Sequence, residues 1–319
     1  MIRVIGAGAF GTALAVSLSR VCPVVLWTRD PDHAVEMQKN RENKRRLPDV
    51  HLPENISVSA DLDPFDQSKA TLLAIPTQQL RGFLERSVEL LGNGALVACC
   101  KGIELTSAQG PTGIIRSYRP GGSIGVLTGP SFAADIARGL PTALTLACQD
   151  ETTGLVLQKA LTTPNLRIYR TTDVIGAEFG GALKNVIAIA AGAAMGAGLG
   201  ESARAALMTR GFAEMSRVAT HHGARAETLS GLSGFGDLVL TCTSDQSRNY
   251  RFGFSLGRES DFDATVTVEG AATARAMRDM ALAEGLDIPI IAAVAALIDR
   301  ELKVTEAMDM LLSRPLKEE

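Results

Sequence analysis

The stretch Gly6-Ala7-Gly8-Ala9-Phe10-Gly11 constrains the fold of this chain more than any other feature of the sequence. It follows the short apolar run 3–5 and precedes an apolar, helix-forming segment at 12–16. In this context Gly6 permits a tight turn, Gly8 lets a pyrophosphate approach the backbone, and Gly11 lets the helix pack closely on the strand. Unpaired N–H groups at the helix start would face the phosphates. The pattern therefore predicts a dinucleotide-binding βαβ unit.

Length, net charge and cysteine content limit the classes of protein to which the chain could belong. A chain of 319 residues is typical of about two domains. The net charge of −3 excludes a polybasic surface for nucleic acid. The five cysteines are odd in number and form no CxxC pair, so they indicate reduced, mostly buried thiols in the cytoplasm instead of a disulfide framework or a zinc site.

Short apolar runs alternate with helical patterns in the first half of the chain, which predicts an α/β fold. A second strand, Val24-Val25-Leu26-Trp27, follows the glycine turn at the distance that a βαβ unit requires. Further strands are predicted at 70–75, 95–100, 124–127, 142–148 and 166–169, and helices at 78–91 and 151–161. This alternation indicates a Rossmann-type, doubly wound, mostly parallel sheet.

Long, Ala-rich helical patterns dominate from about residue 173, at 174–195, 203–221 and 271–284. We therefore expect a dinucleotide-binding domain at 1–172 and an all-helical domain for substrate binding and catalysis at 173–319. The most apolar stretch, 186–199, is too short to span a bilayer and predicts a buried helix, so we expect no stable membrane insertion. Because the first strand begins at residue 2, no signal peptide fits.

The segment 41–55 is basic and polar, with its positive charge on Arg41, Lys44, Arg45 and Arg46. We expect a solvated loop here, and contact with a phosphate is the alternative. A loop of this kind would leave its charges in water, where they need no partner.

Three predicted strands end in short motifs, and ligands of open α/β sheets bind beyond the carboxyl ends of strands. The motifs are Ile75-Pro76-Thr77, Cys100-Lys101-Gly102, and Thr128-Gly129-Pro130-Ser131-Phe132. Each could be an ordinary strand-to-helix turn. Lys101 argues against that interpretation of its motif, because a cation just past a buried strand is costly without a partner.

Lys184 occupies a helix that is otherwise apolar on nearly all sides, in a chain where only eight of 32 basic residues are lysines. A lysine in an apolar wall usually faces a cavity or a charged ligand, and its pKa can then fall toward neutrality, which suits proton transfer. The alternative is a lysine whose side chain extends along the surface to water. No histidine motif or metal-ligand motif competes for this role, so we predict no metal.

Two further polar groups lie in the second half. Asp237 follows a glycine-rich loop, and the sequence leaves open whether it caps a helix or pairs with a catalytic lysine. Ser247, Arg248 and Asn249 begin another helical run and could form an anion site from a guanidinium and free backbone N–H groups. A capped surface helix is the alternative.

Together these residues resemble the bacterial NAD(P)-dependent glycerol-3-phosphate dehydrogenase family over nearly the whole chain. The resemblance is carried by seven ordered motifs: GAGAFGTALA at 6–15, CKGIE at 100–104, TGPSFA at 128–133, GGALKNVIAIAAG at 180–192, GFGDLVLTC at 234–242, QSRNYRFG at 246–253 and VEG at 268–270.

The resemblance implies reversible hydride transfer between NAD(P)H and dihydroxyacetone phosphate, which supplies sn-glycerol 3-phosphate for phospholipid synthesis. It implies catalytic roles for Lys184, Lys101 and Asp237. The implied cofactor contacts are Gly6, Gly8, Ala9, Phe10, Gly11, Arg29, Lys101, Ala133, Arg248 and Glu269. The implied substrate contacts are Lys101, Gly129, Ser131, Lys184, Asp237, Ser247, Arg248 and Asn249.

Cofactor preference depends on the residues after the second strand, where NAD-selective sites usually place an acidic group. Arg29 would suit a 2′-phosphate and Asp30 would not, so we expect NADP to be favoured with NAD also accepted. Two other functions remain: a related dehydrogenase of another small hydroxy acid, or a dinucleotide sensor without turnover. The apolar helices of the second half are compatible with a homodimer.

Overall fold

The computed structural model describes residues 1–62 and 68–313. The strands among these residues are β1 Ile2–Ile5, β2 Val24–Trp27, β3 Glu42–Asn43, β4 Leu47–His51, β5 Ile56–Ser59, β6 Ala70–Leu73, β7 Ala95–Ala98, β8 Ile124–Thr128, β9 Thr142–Cys148 and β10 Leu166–Thr171. Eight of them form one sheet in the order β10-β9-β8-β7-β6-β1-β2-β5. Every neighbouring pair is parallel except β8 and β9. The predicted Rossmann-type, mostly parallel sheet is confirmed.

The helices of the first half cover both faces of this sheet: α1 Ala9–Leu18, α2 Pro31–Asn40, α3 Thr77–Ser87, α4 Pro111–Tyr118, α5 Ala133–Ala137 and α6 Glu151–Leu161. The second half is helical: α7 Val174–Gly196, α8 Gly200–His221, α9 Ala226–Ser230, α10 Asp237–Cys242, α11 Arg248–Gly257, α12 Glu269–Glu284, α13 Pro289–Ile298 and α14 Val304–Leu312. One apolar core lies on each face of the sheet, and a third surrounds α7.

The segment 41–55, expected to be a solvated loop, is not one: β3 and β4 pair as an antiparallel ribbon, which we call the basic hairpin (residues 42–51). Asn43 of this hairpin is completely buried. Its amide is satisfied by hydrogen bonds instead of apolar contact, so a hydrophobicity pattern could not reveal it. Strand β5 was likewise not predicted, because of its four residues only Ile56 is buried.

The glycine turn between β1 and α1 depends on close backbone contacts. Gly6 has φ of +108°, and a Cβ atom there would lie 2.5 Å from the carbonyl oxygen of Ala74. A Cβ atom at Gly11 would overlap the carbonyl oxygen of Gly6. At Gly8, by contrast, a Cβ atom would meet no atom within 4 Å. The three glycines therefore serve different needs, and only Gly8 borders open space.

Helix α7 is the centre of the helical part. By length and composition it could cross a membrane, but 78% of its most apolar window is buried inside the protein. It begins at Val174, as the sequence predicts, and Asp173 caps it by accepting a hydrogen bond from the Gly176 N–H at 2.8 Å. The apolar stretch 186–199, too short on its own to span a bilayer, thus overlaps only the second half of a longer helix.

Helices α7 and α11 touch without side chains between them. A Cβ atom at Gly192 would overlap the Tyr250 carbonyl oxygen, and one at Gly253 would overlap the Ile189 carbonyl oxygen. Because glycines occur on both helices, the two backbones run side by side in direct contact. This contact places the start of α11 beside the middle of α7, where Lys184 lies.

A carboxylate of α7 also caps a helix of the sheet-containing domain. Glu178 Oε1 accepts a hydrogen bond from the Thr112 N–H at 2.7 Å, and its Oε2 accepts one from the Thr112 hydroxyl at 2.8 Å. These bonds satisfy groups at the start of α4, where the helix leaves N–H groups unpaired. These hydrogen bonds link the helical half of the molecule to the sheet-containing half.

We expect Gly11→Ala to destabilise the fold by more than about 2 kcal/mol, because the added methyl group must displace backbone. Gly8→Ala should leave stability within about 1 kcal/mol of the parent protein, with any change due to backbone entropy, while weakening dinucleotide binding. Urea denaturation and dinucleotide titration would measure both effects. Equal stability of the two variants would contradict this account of the turn.

Candidate active site

The carboxyl ends of adjacent parallel strands bring two of the predicted motifs together. Lys101 follows β7, and Gly129 follows its parallel neighbour β8. Lys101 Nζ donates a hydrogen bond to the Gly129 carbonyl oxygen at 3.0 Å. Gly129 has φ of +132°, a conformation that side-chain-bearing residues rarely adopt. The Lys101 ammonium is therefore directed across the edge of the sheet.

Asp237, at the start of α10, accepts hydrogen bonds from two ammonium groups. Its Oδ2 lies 2.5 Å from Lys101 Nζ, and its Oδ1 lies 3.0 Å from Lys184 Nζ. The side chains of Asp237, Lys184 and Lys101 are only 2%, 9% and 15% exposed. Asp237 could have been a helix cap or a partner of lysine, and its side chain contacts two lysines. Lys184 does not extend to bulk water.

Thr241 completes this cluster and was not predicted. Its hydroxyl accepts a hydrogen bond from Lys184 Nζ at 2.7 Å and lies 3.2 Å from Asp237 Oδ1, to which it donates. Residues four apart on a helix share a face, so the spacing of Asp237 and Thr241 was the available signal. The hydroxyl fixes the ammonium with a second contact beside the carboxylate.

Burial sets the protonation of the cluster. It lowers the pKa of Lys184 to about 8, with the positive charge of Lys101 adding to the effect and Asp237 opposing it. Burial alone would raise the pKa of Asp237, but the ammonium groups of Lys101 and Lys184 outweigh it and lower that pKa. The cluster thus combines a permanent carboxylate with an amine that can gain or lose a proton near neutral pH.

The start of α11 lies next to the cluster. Ser247 caps the helix by accepting a hydrogen bond from the Tyr250 N–H at 3.2 Å. Asn249 Nδ2 donates to Asn185 Oδ1 at 2.9 Å, and Asn249 Oδ1 accepts from the Gly270 N–H at 3.0 Å. Asn249 therefore joins α7, α11 and α12, and half of the hydrogen-bonding capacity of its side-chain amide is used within the protein.

Arg248 is exposed to solvent at the first position of α11, yet nearby protein lowers its pKa. The main cause is the surrounding protein, which displaces part of the water around the side chain. The negative charge of Glu269 opposes the shift, and the positive charges of Arg251 and Arg46 add to it. The guanidinium keeps an exposed side, where it can bind an anionic ligand.

Three buried polar atoms in this region lack a hydrogen-bond partner among the described residues: Thr77 Oγ1, Thr128 Oγ1 and Glu269 Oε2. Glu269 Oε1 accepts a hydrogen bond from the Thr77 N–H at 3.1 Å, and burial raises the pKa of Glu269 to about 7. Buried polar atoms without partners are rare in folded proteins. A polar ligand between the domains would satisfy them, which fits a bound dinucleotide.

The other predicted residues lie at the ends of strands or the starts of helices in the first half of the chain. Ala9 and Phe10 begin α1, and Arg29 is exposed just past β2. Ser131 donates a hydrogen bond to the Gly129 carbonyl oxygen at 3.2 Å, and Ala133 is the first residue of α5. No side chain caps the start of α1, so its N–H groups are available to a phosphate.

A Rossmann-type domain, a helical partner domain and a buried lysine–carboxylate cluster between them define a two-domain, nicotinamide-dinucleotide-dependent dehydrogenase. Residues 1–154 match the family described as NAD-dependent glycerol-3-phosphate dehydrogenase N-terminus, and residues 173–309 match its C-terminus. The chain belongs to this family.

Individual relatives agree with the assignment. The chain is 58% identical over 318 residues to a glycerol-3-phosphate dehydrogenase (NAD(P)+) of Ruegeria sp. strain TM1040, covering 100% of this chain and 99% of the relative. It is 48% identical to a protein of the same description from Bradyrhizobium sp. strain BTAi1, covering 100% and 98%. A crystal structure of glycerol-3-phosphate dehydrogenase from Coxiella burnetii superposes with a TM-score of 0.92 at 34% identity, covering 98% of each chain.

We expect Thr241→Val to lower kcat about tenfold while preserving the fold, because valine keeps the volume but removes a hydrogen bond to a charged group. Steady-state kinetics and thermal denaturation would measure the two effects. Thr243→Val, on the same chain segment but with an exposed hydroxyl, is the control. An unchanged kcat in Thr241→Val would show that the hydroxyl does not position Lys184.

Proposed function

We propose that this protein reduces dihydroxyacetone phosphate to sn-glycerol 3-phosphate with NADPH or NADH, reversibly, and so supplies a precursor of phospholipids. One observation carries the proposal: a buried carboxylate, Asp237, holds two ammonium groups at the carboxyl ends of β7 and β8. We assign residues 1–172 to dinucleotide binding and 173–319 to substrate binding and catalysis. The end of β10 at Thr171 and the start of α7 at Val174 support this boundary.

The dinucleotide would be held by the glycine turn, with Gly8 beside the pyrophosphate and the start of α1 supplying N–H donors. Phe10, Arg29, Ala133 and Glu269 would supply further contacts to the dinucleotide. When bound, the nicotinamide supplies the hydride to carbon 2 of the substrate or accepts it from there. The protein's part is to orient the two reactants and to handle the proton.

Lys184 is the proton donor in the direction of reduction. Its ammonium stabilises the negative charge that develops on the carbonyl oxygen and then gives that oxygen a proton. In the direction of oxidation the neutral amine removes the hydroxyl proton. A pKa of about 8 lets the same nitrogen serve in both directions near neutral pH.

Asp237 and Lys101 control this amine. The carboxylate holds both ammonium groups, and with all three groups charged the cluster carries one net positive charge. That charge attracts an electron-rich oxygen. Lys101 is also tied to Gly129, so it can contact substrate and cofactor from the edge of the sheet.

The substrate phosphate would bind at the start of α11. Arg248 offers an exposed guanidinium, and the helix start offers N–H donors. Ser131, Ser247 and Asn249 complete the predicted substrate contacts. Because phosphate binding is remote from carbon 2, its binding energy serves to position the reacting carbonyl.

We also propose that the protein acts in the cytoplasm without stable membrane insertion, as a monomer or homodimer. Its five cysteines are free thiols, four of them buried, which fits a reducing compartment.

The pH dependence follows from Lys184. Since its pKa is lowered to about 8, the ammonium required for reduction is present below that pH and is lost above it. We expect kcat/KM for ketone reduction to fall as pH rises through about 8, and kcat/KM for alcohol oxidation to rise over the same interval. Initial rates from pH 6 to 10 at constant ionic strength would measure both limbs. If kcat/KM changed with pH in the same way for reduction and for oxidation, Lys184 would not be the group that gives and takes the proton.

The decisive experiment follows NAD(P)H absorbance with dihydroxyacetone phosphate and with dihydroxyacetone. The parent protein should turn over the phosphorylated ketone and use the unphosphorylated one far less well. Lys184→Ala should lower kcat by at least about 100-fold, with the dissociation constant for NADPH unchanged within about threefold.

The outcomes separate the alternatives. Equal activity with both ketones would favour a dehydrogenase of another small hydroxy compound. Tight dinucleotide binding without turnover of any ketone would favour a sensor. Near-normal kcat in Lys184→Ala would remove the proposed proton donor.

A further inference from the structure

The acidic residue after β2 is engaged by the protein. Asp30 Oδ1 accepts a hydrogen bond from the His33 N–H at 3.1 Å, as the N-cap of a helix whose first residue is Pro31. Asp30 Oδ2 accepts one from Arg45 Nη1 at 3.1 Å. An acidic group near this position usually binds the ribose hydroxyls of NAD and disfavours a 2′-phosphate. Here both carboxylate oxygens already have partners.

Arg45 pairs with a second carboxylate as well. Its Nη2 lies 2.6 Å from Glu36 Oε2, while Nη1 holds Asp30. The hydrogen bond from His33, with Arg45 contributing, lowers the pKa of Asp30, so this carboxylate is ionised at neutral pH. One guanidinium thus counters two negative charges just past the end of β2. The three side chains are 35–48% exposed, so their charges are also felt in the surrounding solvent.

Buried contacts fix the hairpin that carries Arg45. Asn43 Nδ2 donates hydrogen bonds to the Ala7 carbonyl oxygen at 2.9 Å and to the Thr12 hydroxyl at 2.7 Å. Its Oδ1 lies 3.1 Å from His33 Nε2. Ala7 belongs to the glycine turn, so the basic hairpin is tied directly to the predicted phosphate-binding segment. Arg45 stands two residues away from this anchor.

The basic hairpin also acts electrostatically on the helical half of the molecule. Arg46, the residue after Arg45, is close enough to Arg248 for its positive charge to contribute to that residue's lowered pKa. The tip of the hairpin is therefore within electrostatic range of the start of α11, while its anchor lies at the glycine turn.

We propose that Arg45 is a specificity-determining residue: by countering Asp30 and Glu36 it lets the site accept the 2′-phosphate of NADPH beside Arg29 while still accepting NADH. The inference rests on the dinucleotide site proposed above but not on the identity of the ketone substrate. Without Arg45, two uncompensated carboxylates would repel the 2′-phosphate, which carries nearly two negative charges, and would leave the ribose hydroxyls of NADH little affected.

The test compares dissociation constants of NADPH and NADH, measured by quenching of the single tryptophan, Trp27, in the absence of ketone. Arg45→Ala should raise the dissociation constant for NADPH relative to that for NADH by about fivefold at low salt, as expected for charges some 8 Å apart in water. The effect should shrink as ionic strength rises, because exposed charges are screened within about 10 Å at 0.1 M salt.

Three further variants isolate the charge effect. Arg45→Lys should keep the NADPH preference within about twofold, because it keeps the positive charge. Lys39→Ala removes an exposed positive charge elsewhere on α2 and should leave the ratio unchanged. Asp30→Asn in the Arg45→Ala background should restore most of the ratio, since asparagine still caps α2 but carries no charge.

The proposal would be overturned if Arg45→Ala left the ratio of the NADPH and NADH dissociation constants unchanged. It would also be overturned if Asp30→Asn failed to restore that ratio in the Arg45→Ala background. Equal weakening of both dinucleotides would assign Arg45 a structural role instead. Failure of the parent protein to bind NADPH would also overturn it. Because no ketone is present, these results are independent of whether dihydroxyacetone phosphate is the substrate.

Discussion

One carboxylate, Asp237, holds ammonium groups that arrive from two different domains. Lys101 comes from the end of a strand in the sheet, and Lys184 comes from the central helix of the second domain. Two buried ammonium groups this close would repel each other and lose hydration, so their coexistence requires a shared counter-charge. The ion cluster therefore joins the two domains at the predicted site, in addition to the hydrogen bonds between Glu178 and Thr112, and Thr241 is its neutral member.

Most of the fold follows from apolar patterning. Strands β2 and β9 and helix α6 have the bounds that the sequence predicts, because buried parallel strands and amphipathic helices have distinct periods. The basic hairpin and the edge strand β5 escaped prediction, since polar contacts and backbone pairing hold them. The antiparallel pairing of β8 with β9 could not be predicted either. A strand buried on both faces is apolar throughout, so its sequence does not indicate the direction in which it pairs.

Charged residues in apolar stretches of the sequence predicted part of the site, whereas small polar residues gave no usable signal. Lys101 and Lys184 stood out because burying a charge is costly. Asp237 stayed open between a helix cap and a partner of lysine, because a carboxylate at a helix start suits both. Thr241 and Asn43 did not, since a hydroxyl or an amide is common at the surface and costs little there. The sequence predicts that Asp30 disfavours a 2′-phosphate, although an aspartate before a proline is also typical of a helix cap. The partner that engages its second oxygen comes from a hairpin that was not predicted.

The direct contact between α7 and α11 has no side chain that could change rotamer to absorb a shift. A larger side chain at these glycines would have to push the two helical backbones apart. The spacing between Lys184 and the start of α11 therefore depends on residues that carry no side chain at all.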